Sequence, residues 1–166
     1  MMRKFVNLIQ YSVHFVQRCC FLMMKVKTKM KTCDWTYKGQ TFTEEGVDGN
    51  FGFVYEIVNT SNQRRYVGKK FFTKSGRKQI KGKTKKVRLS SGWENYWSSS
   101  EELKSDVKTF GEENFTRTIL YLCKTRSECS YKETREIFLR DALLTETYYN
   151  RWVSCKIHKA HVINKL

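Results

Sequence analysis

The chain has 166 residues, no proline and a formal net charge of +16. That length suits one domain of modest size, and the charge opposes compactness unless a polyanion is the partner. No apolar stretch is long and clean enough to cross a bilayer as a helix, so a membrane partner is not expected.

Residues 1–30 read as an N-terminal extension. Phe5, Ile9, Val13, Val16 and Cys20 fall near helical spacing, but polar residues interrupt the run. No small-residue cleavage site follows, and Met24 or Met30 are alternative starts. Residues 31–50 hold a small hairpin, Trp35 to Phe42, turning at Lys38-Gly39, and a lead-in loop. Phe53 to Asn59 and Arg64 to Lys70 form the main hairpin around a polar turn. Phe53, Tyr55 and Ile57 share one face, as do Tyr66 and Gly68 on the returning strand. The two tyrosines are expected to point into one cleft, with Gly68 leaving room there.

Residues 71–92 are expected to be a basic, partly mobile loop with one short helix. Ser99-Ser100-Glu101-Glu102 starts a helix with a capping box, and Leu103, Val107 and Phe110 mark its apolar stripe before Gly111. Asn114 to Cys123 is a third strand. Ser130-Tyr131-Lys132-Glu133 reads as a second capping box, opening a helix with Ile137, Phe138, Leu143 and Leu144. The expected fold is a small α/β sandwich, with a three-stranded antiparallel sheet flanked by helices. Its main domain runs over 51–158, with a tail at 159–166.

From Ile57 to Trp93 there is no acidic residue, while basic residues recur throughout. One-sign runs of this density meet nucleic acid or an anionic surface, and nucleic acid is the expected partner. The six cysteines contain no CxxC pair, which suits free thiols in a reducing, cytoplasmic setting. Cys155-x-x-His158-x-x-His161, with Cys123 or Cys129, is a weak alternative pattern for a zinc-dependent interaction protein.

Phe53-Val54-Tyr55 and Tyr66-Val67-Gly68 resemble the two halves of the GIY-YIG nuclease motif. The resemblance extends through Trp93-x-x-Tyr96-x-Ser98-Ser99, Leu103, Phe110-Gly111-x-x-Asn114-Phe115, Ile119-Leu120, Ser130-Tyr131-x-Glu133 and Tyr148-Tyr149-Asn150. These stations, from about Trp35 to His158, look like those of a phage-encoded, homing-type branch. The resemblance implies hydrolysis of DNA with one Mg²⁺ (or Mn²⁺) ion. It implies that Tyr66 acts as the base or its relay and that Tyr55 orients the nucleophile. Glu133 would be the metal ligand, with Glu136 as its rival and the N3 cap position as its bland alternative. Asn150 would help build the site. For the catalytic arginine the resemblance favours Arg88 over Arg77. Lys69, Lys70, Arg77, Lys81, Lys83, Lys85 and Lys86 are expected DNA contacts.

The chain departs from the pattern in three places. Phe53 stands first in the GIY triplet, Ser90-Ser91-Gly92 precedes Trp93 where acidic residues are usual, and Ser98 replaces a glycine. The competing function is a catalytically inactive nucleic-acid-binding module.

Overall fold

A computed structural model describes residues 34–80 and 82–159. The expected N-terminal extension, Lys81 and most of the expected tail lie outside these residues. The elements are β1 (Trp35–Tyr37), β2 (Gln40–Thr41), β3 (Gly52–Asn59), β4 (Arg65–Phe71), β5 (Thr73–Ile80), β6 (Lys83–Ser90), α1 (Glu101–Phe110), β7 (Phe115–Cys123) and α2 (Arg126–Leu139).

The sheet has five strands in the order β2-β1-β7-β3-β4, which corrects the expectation of three. It is also mixed, because β1 runs parallel to β7. The hairpin at Lys38-Gly39 forms as expected, with both turn residues at positive φ. Two strands this short are marginal alone. They dock because Trp35 is buried and packs edge-on against Phe53 and Tyr55 at 5.0 and 5.1 Å.

β3 is an interior strand, between β7 and β4, and is almost wholly buried. Phe53, Tyr55 and Ile57 share a cluster with Leu103 and Val107 of α1. Val54 faces the other cluster, with Val67, Cys123, Cys129 and Ile137 of α2. The helices therefore flank the sheet, one on each face. A bulge in the β3–β7 pairing falls between Val54 and Tyr55. One extra residue reverses the alternation of β7. Thus Ile119 joins the α1 face, while Tyr121 and Cys123 lie on the α2 face.

Residues 73–90 are not the expected loop with a helix. They form a two-stranded antiparallel ribbon, β5–β6, that joins no other strand among the described residues. Its root is fixed by the core: Phe72 and Trp93 are buried and meet at 5.4 Å, and Ser91 Oγ donates to Phe71 O at 2.6 Å. No described helix is long and apolar enough to cross a membrane.

α1 starts where expected, but its cap is Ser100, accepting from Leu103 N–H, so the Ser99-x-x-Glu102 box does not form; Gly111 closes the helix. The second box is displaced. α2 begins at Arg126, with Thr125 accepting from Glu128 N–H and Glu128 accepting from Lys124 N–H. Thr125-x-x-Glu128 has the same capping-box chemistry as Ser130-x-x-Glu133, so the pattern alone left the start ambiguous. The helix ends at Leu139, which leaves Leu143 and Leu144 beyond it.

Gly68 stands opposite Tyr55 in the β3–β4 ladder. A Cβ there would lie 2.6 Å from the Tyr55 hydroxyl oxygen and 2.7 Å from Tyr66 Cε1. Gly68→Ala is expected to destabilise the fold by about 1–3 kcal/mol through overpacking, which urea denaturation would measure.

Candidate active site

β4 is an edge strand, so its outer rim must find partners or face water. Residues 147–150 supply them. Arg65 N–H donates to Thr147 O at 2.8 Å, and Tyr149 N–H donates to Arg65 O at 2.7 Å. Asn150 then substitutes for a strand: its Oδ1 accepts from Val67 N–H at 3.0 Å and its Nδ2 donates to Val67 O at 2.8 Å. Both polar groups of its buried amide are spent on Val67. Asn150 is therefore a clamp on the strand that carries Tyr66 and Lys69.

A cleft of about 360 Å³ opens along this rim. Tyr66, Lys69, Ser99, Glu133, Asn150 and Arg151 line it, with Glu101, Glu102 and the exposed Trp152 at its walls. Tyr66 arrives from the α1 face and Glu133 from α2, so the cleft wraps the edge of the sheet. Its charged lining is three carboxylates against two cations, Lys69 and Arg151.

Tyr66 Oη and Ser99 Oγ are hydrogen-bonded at 3.1 Å. Burial raises the Tyr66 pKa above its ordinary value, and the Ser99 bond offsets this only in part. Tyr55 does not reach the cleft. It stands fully buried behind Tyr66, with ring centroids 6.1 Å apart. Burial pushes its pKa well above the ordinary value, and the nearby Tyr66, Tyr96 and Glu133 add to the shift. Both hydroxyls are thus held in the protonated form.

Glu133 lies in the middle of α2, so the cap role that its spacing suggested belongs to Glu128 instead. Burial raises the Glu133 pKa, opposed by an ion pair with Lys69. Glu136, the rival ligand, is fully engaged. It accepts from Tyr121 Oη at 2.8 Å and from Arg140 at 2.7 and 3.0 Å. Burial works against its charged form, but those bonds hold its pKa below the ordinary carboxylate value.

Lys70 faces away from Glu133. Its ammonium sits 3.8 Å from the Tyr96 ring centroid, and burial, then Lys74, lowers its pKa. Arg88 and Arg77 do not line the cleft. Arg88 lies at the ribbon root, 5.4 Å from the Phe51 ring, and donates to Thr73 Oγ1 at 3.4 Å. Arg77, Lys83, Lys85 and Lys86 lie along the ribbon, exposed.

Sequence reasoning missed Ser99 and Arg151 as cleft residues. It also missed Tyr149, whose hydroxyl donates to Asp106 at 2.7 Å while Arg64 covers its ring at 4.0 Å. The Tyr148-Tyr149-Asn150 run was the available signal, since polar-tipped aromatics beside a clamp must bury their rings and satisfy their hydroxyls. Among the described residues no group of three or more His, Cys, Asp or Glu could hold a metal. Cys123 and Cys129 are buried in the core, and His161 of the zinc pattern lies outside the described residues.

A family model described as "Putative endonuclease segE, GIY-YIG domain" matches residues 35–153. The protein "Putative endonuclease segE" of Enterobacteria phage T4 is 32% identical over 100 residues, covering 60% of this chain and 40% of its own length. The chain thus spans about two-fifths of that relative. No solved structure matches. With the two tyrosine triplets paired across Gly68 and the cleft at their rim, the chain belongs to the GIY-YIG endonuclease family, in its segE group.

Proposed function

We propose that the chain is a metal-dependent endonuclease that hydrolyses DNA phosphodiester bonds, of the phage homing type. The observation that carries this reading is the meeting of Tyr66, Lys69 and Glu133 in one cleft at the β4 rim. The T4 relative supports the phage branch.

The cleft fits a hard divalent cation. Its lining offers Glu133, a partly buried carboxylate held by one ammonium, Lys69. Mg²⁺ needs only one or two protein carboxylates, because waters and substrate oxygens complete its shell. Glu133 would hold Mg²⁺ (or Mn²⁺), which when bound supplies positive charge against the transition state and leaving oxygen.

The protein's own groups do the rest. Lys69 keeps Glu133 ionised against burial and presents an ammonium at the cleft. Tyr66, fixed by Ser99, positions the attacking water and relays its proton. With its pKa raised, Tyr66 acts as a hydrogen-bonded relay rather than as a standing tyrosinate. Tyr55 acts from behind, holding Tyr66 in place, and Asn150 holds β4. The phosphate-facing arginine is Arg151, already at the cleft, or Arg88, which the motif resemblance favours. The displacement of Arg88 and Arg77 from the cleft is the one observation that favours an inactive DNA-binding module instead.

Glu133→Gln is expected to abolish Mg²⁺-dependent cleavage while DNA binding survives. The same variant tests the electrostatics. Because the Glu133 pKa is raised on folding, its ionisation costs stability. The stability contribution is therefore present below the unfolded value and lost as pH rises through the folded one. Without metal, wild type should lose stability relative to Glu133→Gln as pH rises above the ordinary glutamate value of ~4.3. Parallel melting curves over that range would refute the shift.

Tyr66→Phe should lower the cleavage rate by ~10²–10⁴, with a small change in melting temperature. A fall in melting temperature alone would make Tyr66 a packing residue. Arg151→Ala and Arg88→Ala separate the two arginines: the one facing the scissile phosphate should cost rate at saturating DNA. If neither does, the inactive-module reading gains.

A further inference from the structure

The ribbon carries two chemically different faces. In an antiparallel pair, residues opposite one another share a face. One face holds the pairs Ser75–Arg88, Arg77–Lys86 and Gln79–Thr84; the other holds Lys74–Leu89, Gly76–Val87 and Lys78–Lys85. The first mixes guanidinium, ammonium, amide and hydroxyl groups. The second has only ammonium groups and aliphatic surface, with Leu89 lying across Gly76 so closely that a Cβ there would clash.

Two adjacent cross-strand pairs, Arg77–Lys86 and Lys78–Lys85, set like charges directly opposite, which destabilises an isolated ribbon. All four side chains are exposed, and among the described residues none meets a carboxylate. An arrangement this costly is relieved by a polyanion. The major groove of B-DNA admits a two-stranded ribbon, and eight residues per strand extend roughly 25 Å. Arg and Lys match guanine edges there, Gln matches adenine, and Thr takes either.

We propose that β5–β6 lies in the major groove of duplex DNA, and that its Arg77–Gln79–Thr84–Lys86 face reads base edges and so selects the sequence the chain binds. The lysines of the opposite face contact phosphates. The inference rests on the nuclease reading only for its substrate class. A-form RNA is not an equivalent target, because its major groove is too deep and narrow for side chains to read.

The test is selection of bound sequences from a random duplex DNA pool without divalent metal, with salt titrations and guanine N7 methylation interference. Wild type should enrich a sequence, with interference at guanine N7. The double variant Gln79→Ala/Thr84→Ala should flatten the preference roughly ten-fold or more at one or more base pairs. Its salt slope should not change, because no charge is lost. Lys78→Ala/Lys85→Ala should keep the enriched sequence and reduce the slope by roughly two. No enrichment by wild type, retention of the sequence by the Gln79/Thr84 variant, or absence of interference at guanine N7 within the enriched sequence would overturn the proposal. Cleavage mapped on the same pool with Mg²⁺ separates the two readings. Cutting with flat enrichment removes the ribbon proposal alone, and enrichment without cutting removes the nuclease reading alone.

Discussion

The rim of β4 has to satisfy two opposed requirements. An edge strand exposes backbone donors and acceptors that need partners, yet a full neighbouring strand would close over Tyr66 and Lys69. The chain resolves this with a four-residue segment rather than a strand. Thr147 and Tyr149 bond Arg65 through their backbones, and Asn150 completes the pairing with its side chain. A primary amide offers one donor and one acceptor in the geometry of a peptide group. Aspartate has no such donor when ionised, and alanine would leave the Val67 N–H and C=O unpaired, at about 1–3 kcal/mol for each buried group. Because the pairing is made by a side chain, the backbone can turn away at Arg151, and the cleft stays open.

Around that rim the resting electrostatics oppose charge on the groups that would carry the chemistry. Burial keeps the Tyr55 and Tyr66 hydroxyls protonated and raises the Glu133 carboxyl. Only Lys69 holds Glu133 in its charged form. Contrast Glu136, one turn along α2, where Arg140 and Tyr121 satisfy both carboxylate oxygens. Two glutamates on one helix thus have different surroundings: Glu136 is saturated by Arg140 and Tyr121, and Glu133 is held by a single ammonium. Perturbed groups facing a cleft mark functional sites more often than saturated ones.

Much of the fold was legible in the sequence because its signals are local. The alternation of Phe53, Tyr55 and Ile57, the Lys38-Gly39 turn and the Gly111 helix end each need only a few residues to act. What was not legible depends on partners distant along the chain. That β1 would join β7 in parallel depends on Trp35 finding Phe53 and Tyr55. The start of α2 was undecidable because two capping boxes lie five residues apart, and packing of Cys129 and Ile137 selects the earlier one. The ribbon was read as a loop because its strands lack the apolar alternation of a half-buried sheet; they have no core to face. The cleft residues Tyr66 and Glu133 were visible through their motif, whereas Arg151 and Ser99 belong to it only through the rim that residues 147–150 create.

The distribution of charge follows from the same division between body and ribbon. In the body, arginines are spent on carboxylates: Arg64 with Glu102, and Arg140 with Glu56 and Glu136. Arg117 is stacked between Trp35 and Trp97 at 4.7 Å from each ring centroid. Partly buried pairs of this kind are screened little by salt, whereas exposed charges lose their interactions beyond a Debye length of ~8 Å at physiological ionic strength. The excess positive charge on the ribbon sits where screening acts and where the core does not depend on it. A chain of net charge +16 can therefore keep a paired, salt-tolerant body. Half of that excess, eight basic residues with no acidic one over 73–90, is carried by an arm outside the main sheet, where a polyanion can neutralise it.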